Sequence, residues 1–439
     1  MYEIDSKLKQ RQKDGNPIIV GLIGAGQMGT EIVTQIGLMD GMEIGVIVDL
    51  TKKGASAGYS HVADAPKIFE TDDMGKAEKA LTSGKRIATS NYLIATRLPQ
   101  IDVIIDATGS VEMGAVTTLD AIDHKKNIVM MSVECDITIG PILRKMADNA
   151  GVVYSLAAGD EPAAIIELYR FANALGFTIV SAGKGKNNPL NIYATPNDLQ
   201  DTADERKMSS RMLCEFVDGS KTAIEMAAVS NATGLLPDIR GMHGAKSSVD
   251  KLIKIFIPKK DGGILDKIGV VDFAIGVSPG VFVVIYTDNN RIHEGMAQRD
   301  MGKGPYYLLF RPYHLCSVEV PLTVAQTVIY GESSGHPAGG LVSECIAISK
   351  RPLKKGQILD NIGETCYRSS IELAHIARSE NLLPLGLAKG AVLTRDIKKD
   401  EVITYDMVEI INDTILVNLR KIQDRTIDQT FVWRKDCIY

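Results

Sequence analysis

Gly24, Gly26 and Gly29 stand in G-x-G-x-x-G spacing within Gly24-Ala25-Gly26-Gln27-Met28-Gly29. The chemistry of that spacing is phosphate binding. The first glycine allows a tight turn, the second lets a pyrophosphate approach the backbone, and the third lets a helix pack closely on a strand. Gln27 and Met28 fall at the start of that helix, where N–H groups point outward at an anion. An apolar run at residues 18–23 precedes the loop and a helical pattern continues to residue 38, which is the context a dinucleotide site requires. Asp49 ends the next apolar run, residues 42–48. A carboxylate there accepts hydrogen bonds from the adenine-ribose hydroxyls and repels a 2′-phosphate. Lys52 and Lys53 follow at once and would hold a phosphate if the loop turned them inward. NAD(H) and NADP(H) both fit, and Asp49 favours NAD(H).

Hydride transfer also needs a cation or acid near the substrate oxygen and groups that orient the substrate. Lys184 and Lys186, in the dense polar run Gly183-Lys184-Gly185-Lys186-Asn187-Asn188-Pro189, offer positive charge for a phosphate, a carboxylate or a developing alkoxide. Against this stands the ordinary behaviour of lysines as solvated surface groups. Glu134, Asp160 and Glu161 are candidate acid/base groups, and Asp160 and Glu161 are the candidate ligands for Mg²⁺ or Mn²⁺, which take oxygen donors. Glu161 before Pro162 is equally explained as a helix start, where a carboxylate complements the dipole. Thr108 and Gly109, in Asp106-Ala107-Thr108-Gly109, are placed to flank the nicotinamide half of a cofactor. His243 in Gly241-Met242-His243-Gly244, and Arg311 with His314 in Arg311-Pro312-Tyr313-His314, are candidate substrate-binding side chains, although a lone histidine is more often structural.

The elements that must position these groups alternate through the first third of the chain. Strand-like runs at 18–23, 42–48, 101–106, 127–132 and 152–156 are separated by helix-like segments, including 74–81, 111–124 and 139–150. That rhythm predicts a parallel Rossmann sheet over residues 1–160, with ligands at the carboxyl ends of its strands. It leaves residues 133–136 and 157–162 as strand-end loops. Beyond residue 177 the rhythm changes. Strands at 177–182, 221–228, 271–275 and 281–286, with a polar helical stretch at 198–215, predict a central α+β catalytic and dimerisation domain over 161–340 with a mostly antiparallel sheet. Lys221, next to Asp218-Gly219-Ser220, reads as a hairpin turn. Residues 341–439 carry short strands at 345–348 and 391–396, each followed by a basic turn and an apolar stretch, at 351–359 and 396–403. This internal pair predicts a small all-β module.

Length and composition agree with that layout. The 439 residues imply two or three domains, and 45% hydrophobic with 23% charged residues matches a soluble globular protein. A net charge of −5 and the lack of a basic run interleaved with aromatics exclude a nucleic-acid field. The six cysteines (Cys135, Cys214, Cys316, Cys345, Cys366, Cys437) lack C-x-x-C spacing and suit free thiols. A polar start and the lack of a long apolar run predict no signal peptide, no membrane span and a cytoplasmic location.

Longer phrases carry a family resemblance. VGLIGAG, DVIIDATG, VMMSVE, YSLAAGDEP, VSAGKGKNNPLN, DGSKTAIEMAA, NATGLLPD, GVSPGVFVV, GKGPY and FRPYHL span residues 17–407 together with the closing phrase AVLTRDIKKDEVITYDMV. The chain resembles homoserine dehydrogenase-like oxidoreductases with a C-terminal SAF (β-clip) domain, and within them the 1-deoxy-D-xylulose 5-phosphate reductoisomerase-like branch. The resemblance implies a homodimer that isomerises this substrate and reduces it to 2-C-methyl-D-erythritol 4-phosphate, a step of isoprenoid precursor synthesis. It also brings Asn187 and Asn188 into the substrate site beside Lys184 and Lys186. Reductoisomerases of this kind are expected to use NADPH, and Asp49 departs from that pattern. Two other readings stay open: a homoserine dehydrogenase-like or hydroxy-acid dehydrogenase using NAD on another polar substrate, and a non-catalytic NAD(P)-binding regulatory protein. Lys184-Gly185-Lys186 and Asp160-Glu161 argue against the last, since a sensor has little need of them.

Overall fold

The computed structural model describes residues 3–62, 67–411 and 413–427. The chain divides into two compact units. The first takes its described residues from 1–163, 315–336 and 414–423, and the second from 164–314, 337–413 and 424–439. Among the described residues, no helix is long and apolar enough to cross a membrane. Cys135, Cys214, Cys316, Cys345 and Cys366 are free thiols, and Cys437 lies outside the described residues.

Seven strands build the first unit: β1 (Ile18–Ile23), β2 (Met42–Val48), β3 (Ile68–Glu70), β4 (Arg86–Thr89), β5 (Val103–Asp106), β6 (Asn127–Met130) and β7 (Tyr154–Leu156). They form one sheet in the order β3-β4-β2-β1-β5-β6-β7, with every pairing parallel. β1 and β2 are runs of β-branched and other apolar residues buried almost throughout, as a sheet covered on both faces demands. Helix Gln27–Ile36 buries Gly29, Ile32, Val33 and Ile36, one stripe at helical spacing, against this sheet.

Helix Val133–Ala150 starts six residues before the predicted 139. Glu134, Cys135 and Asp136 therefore lie in its first turn and not in a strand-end loop. Pro141 stands inside the helix. Proline offers no N–H and crowds the carbonyl one turn back. The side chain of Gln423 reaches in from helix Ile415–Thr426. Its Oε1 accepts from the Ile142 N–H at 3.1 Å, and its Nε2 donates to the Thr138 carbonyl at 3.0 Å. Arg420 donates to the same carbonyl at 3.2 Å. A buried amide from the end of the chain thus supports the helix at its proline, which is why residues 414–423 join the first unit. Helix Val320–Tyr330 joins it for an apolar reason, burying Val320, Val324 and Ala325 in the core of the sheet.

In the second unit, β8 (Thr178–Lys186), β9 (Leu236–Pro237), β10 (Ala245–Lys246), β11 (Val270–Ile275), β12 (Val281–Tyr286) and β13 (Tyr306–Arg311) form a sheet ordered β10-β11-β8-β12-β13, with β9 also on β11. The expected mostly antiparallel sheet is instead mixed. β9, β10 and β11 run parallel to their neighbours, and only β12 and β13 give antiparallel pairs. The long connection from β8 to β11 allows the parallel pairing that a hairpin forbids. Residues 221–228, expected as a strand, lie in helix Ser220–Thr233. Its alanines favour helix, and burial on all sides erased the periodicity that would have revealed it.

Within the stretch 341–439, the β-rich residues 341–411 belong to the second unit and residues 414–423 to the first. β14 (Ser343–Ser349) pairs antiparallel with β15 (Tyr367–Leu373), and β16 (Val392–Leu393) with β17 (Val408–Glu409). Helix Ser220–Thr233 binds it through polar contacts: Asn231 Oδ1 accepts from the Val342 and Ser343 N–H groups at 2.8 and 2.9 Å, and Ser220 Oγ from the Ser369 N–H at 2.8 Å. The two similar phrases pair with each other. Leu353 and Ile397 exchange backbone hydrogen bonds at 2.9 and 3.0 Å, and three residues later Gly356 and Asp400 both turn with positive φ, 81° and 63°.

Candidate active site

The glycine loop of the first unit separates what the protein needs for itself from what it leaves open. Gly24 has φ 101°, and a Cβ there would lie 2.6 Å from the Ala107 carbonyl oxygen. A Cβ on Gly29 would lie 2.0 Å from the Gly24 carbonyl oxygen. Both positions are closed to any other residue. Gly26 is different: a Cβ there meets nothing within 4 Å, and its φ of −72° suits any residue. Gly26 caps helix Gln27–Ile36 without a side-chain hydrogen bond, so the helix start is left open to an anion. Gln27 is exposed, and Met28 is half-buried with its Sδ accepting from Ser317 Oγ at 2.9 Å.

Asp49 holds this loop. Its Oδ2 accepts from the Ala25 N–H at 2.8 Å and its Oδ1 from the Leu50 N–H at 2.6 Å. Across β1, Asp106 organises the neighbouring loop, accepting from the Thr108 N–H at 3.1 Å, while Ser132 Oγ accepts from the Gly109 N–H at 3.1 Å. Burial pushes the Asp106 carboxyl above its ordinary range. Asp160 is buried, 3.9 Å from Cys316 Sγ, and Glu161 opens helix Glu161–Ala174 ahead of Pro162, the position a helix start favours. Glu134 is half-buried in the first turn of its helix.

In the second unit β8 explains the Gly-Lys-Gly-Lys phrase. A Cβ on Gly183 would lie 2.0 Å from the Asp272 carbonyl oxygen, and one on Gly185 1.9 Å from that of Val277. The glycines admit backbone on one side, and strand alternation sends both lysines to the other. Lys184 pairs with Glu225 of helix Ser220–Thr233, both buried. Lys186 donates to the Phe216 carbonyl, and burial, with Lys184 beside it, brings its pKa down from 10.5 to about 8. Register places Lys184 opposite Val281 of β12, and Val281 opposite Arg311 of β13, so Arg311 shares the lysine face. Arg311 pairs with Glu167 at 3.0 Å and stacks on Tyr313, 4.7 Å from its ring centroid. His314 is half-buried nearby in sequence. The joint that carries Phe216 is pinned by a buried ion pair: Lys350 Nζ lies 2.7 Å from Asp218 Oδ2 and donates to the Ala194 and Glu364 carbonyls at 2.8 and 2.7 Å.

Some predicted residues are drawn elsewhere. Asn188 Oδ1 accepts from Arg206 at 2.8 Å, and Asn187 is exposed. His243 Nδ1 lies 2.8 Å from Asp272 Oδ2 and its Nε2 3.6 Å from Asp238 Oδ2, and the Asp272 bond raises its pKa. Asp272 stands opposite Gly183, one residue out of step with Lys184, so this histidine is anchored to the other face of the sheet. Glu225, Asp218, Lys350 and Asp272 escaped sequence reasoning because each takes its meaning from a partner distant in the chain. The one local signal was the alternation of glycine and lysine in β8.

Residues 159–320 match the family model described as "Oxidoreductase DRL, catalytic domain". No curated protein matches the chain. Among solved structures, a 3-ketoreductase from Actinomadura kijaniata in complex with NADP is 12% identical, with a TM-score of 0.38, over 72% of this chain and 91% of that one. The WlbA dehydrogenase from Bordetella pertussis, in complex with NADH and UDP-GlcNAcA, is 17% identical with a TM-score of 0.30, over 43% of this chain and 51% of that one. An NAD binding oxidoreductase from Klebsiella pneumoniae is 14% identical with a TM-score of 0.28, and the shared part is 40% of this chain and less than half, 43%, of that one.

Proposed function

We propose that the chain is an NAD(P)-dependent oxidoreductase, a dehydrogenase acting at a hydroxyl or carbonyl carbon of a small polar substrate, with NAD(H) its preferred cofactor. The observation that carries this reading is the glycine loop. Gly24 and Gly29 are sterically required by the protein, whereas Gly26 is not, so the space at Gly26 answers to a ligand. Gly26, Gln27 and Met28 would receive the pyrophosphate at the helix start, Asp49 the adenine ribose, and Thr108 with Gly109 the nicotinamide half. The dinucleotide, when bound, supplies or accepts the hydride.

The chain's own part is the proton and the charge. Lys186, with its pKa brought down to about 8, exchanges a proton at Nζ near neutral pH, which is what a general acid/base must do. Lys184, neutralised in part by Glu225, keeps a second positive charge on that face, and Arg311 adds a planar cation for a carboxylate or phosphate. Simple dehydrogenation needs one proton-exchanging group. The reductoisomerase reaction asks in addition that two substrate oxygens be held together by a cation, for which Asp160 and Glu161 are the available carboxylates. This makes the dehydrogenase the better supported reading and the reductoisomerase the narrower one.

Absorbance of the reduced cofactor separates these readings. Purified protein is given NADH or NADPH, or their oxidised forms, with 1-deoxy-D-xylulose 5-phosphate or with a panel of polar hydroxy-acids and ketoses, with and without Mn²⁺ or EDTA. Turnover of a hydroxy-acid or ketose supports the dehydrogenase. Cation-dependent consumption of 1-deoxy-D-xylulose 5-phosphate supports the reductoisomerase. Cofactor binding without turnover across the panel supports the regulatory reading. Lys186→Ala is expected to reduce turnover about 10²- to 10⁴-fold, the ordinary weight of a general acid/base. Light scattering reads the expected homodimer.

A further inference from the structure

We propose that Asp72 is a specificity-determining residue of the dinucleotide site: it holds Lys52 away from the adenine ribose and so reserves the site for NAD(H). The inference rests on the dinucleotide reading of the glycine loop and deepens it.

Sheet order brings the relevant loops together. β3, β4 and β2 are neighbours, so the residues after their carboxyl ends, Asp72, Ser90 and Asp49, line one rim of the first unit. The Asp49 N–H donates to the Thr89 carbonyl at 3.1 Å, which ties two of these loops directly. Ligands of such sheets bind outside this rim. Lys52, three residues after Asp49, is where a cation for a 2′-phosphate would stand, and it is turned to Asp72 at 2.9 Å.

The Asp72 carboxylate has two separable roles. Oδ1 accepts from Thr89 Oγ1, the Ser90 N–H and Ser90 Oγ at 2.9, 2.8 and 3.0 Å, which shapes the loop after β4. Oδ2 faces Lys52. Lys52, with the Ser90 N–H, holds the carboxyl well below the usual carboxylate range. The two side chains are 42% and 39% exposed, and an ion pair so open contributes little to stability. Its consequence is positional. With Lys52 engaged, a 2′-phosphate would meet the Asp49 carboxylate without Lys52 to offset it, whereas the ribose hydroxyls of NAD(H) need only its remaining lone pairs.

Asp72→Asn tests this without disturbing the fold, because the amide oxygen keeps the Oδ1 bonds and the amide nitrogen cannot pair with Lys52. Binding of NADH and NADPH to the full chain is followed by cofactor fluorescence, with no substrate present. D72N is expected to tighten NADPH about tenfold and to leave NADH within about twofold, and D72N/K52M to lose the gain. NADPH affinity unchanged in D72N, or a gain that survives in D72N/K52M, overturns the proposal. Failure of the wild-type chain to bind either cofactor overturns the dinucleotide reading itself, a different result from the first two.

Discussion

Replacing Lys184 by methionine is expected to raise the pH at which Lys186 gives up its proton, and replacing Glu225 by glutamine to lower it. Lys186 sits at about 8 against an ordinary 10.5, through burial first and the charge of Lys184 second, while Glu225 and Asp218 pull the other way. Residues two apart on a strand are about 7 Å apart. A unit charge at that distance, with an effective dielectric of about 20, is worth about 2 kcal/mol, which is between about one and two pH units. K184M should therefore move the midpoint up by about that amount and E225Q move it down. K184M/E225Q removes both charges together and should return it near the wild-type value, which also controls for the buried glutamate that K184M deprives of Lys184. The assay is NMR of ¹³Cε-labelled lysine, with Lys186 assigned from Lys186→Arg. The pH profile of carbonyl reduction, once a substrate is in hand, should fall above about pH 8 and shift in parallel. Midpoints that stay put, or that move the same way in both single variants, would refute the electrostatic account of Lys186.

Three further outcomes follow from the geometry. Gly26→Ala should leave the melting temperature unchanged but weaken NADH binding at least about tenfold, whereas Gly24→Ala, forced against the Ala107 carbonyl, should lower stability as well; equal effects in the two variants would remove the case for a ligand at Gly26. Gln423→Leu withdraws the amide that supports the helix at Pro141 and should cost about 2–3 kcal/mol in urea unfolding, and a loss under about 0.5 kcal/mol would show that the proline needs no such support. Burial raises the Asp136 carboxyl from 3.8 to about 7, so the folded state binds the extra proton between those values and stability falls as pH rises from about 4 to 7. Asp136→Asn, which still accepts from Tyr154, should therefore stabilise the protein at pH 8 by up to about 4 kcal/mol and little at pH 4, and an equal gain at both would contradict the assignment.

The parallel sheet, the glycine loop and Asp49 at the end of β2 were legible in the sequence because each is a local pattern: an apolar run, a spacing, a carboxylate at a strand end. The Gly-Lys-Gly-Lys phrase could be recognised for the same reason, though its logic of backbone on one side and buried charge on the other needed β11 and β12 in place. Helix Ser220–Thr233 was misread because a helix buried all round has no polar stripe to mark its period. Helix Val133–Ala150 starts before its predicted 139 and runs through Pro141, where Gln423, 282 residues later in the chain, bonds the Ile142 N–H and the Thr138 carbonyl. What the sequence determined by itself is the part set by neighbours along the chain: a glycine loop between a strand and a helix of an α/β sheet, and a strand in which glycine and lysine alternate. Only the tertiary structure decided which charges are neutralised. It gave Glu225 to Lys184, Asp72 to Lys52 and two carboxylates to His243, because an ion pair depends on distance in space, and separation along the chain does not predict it.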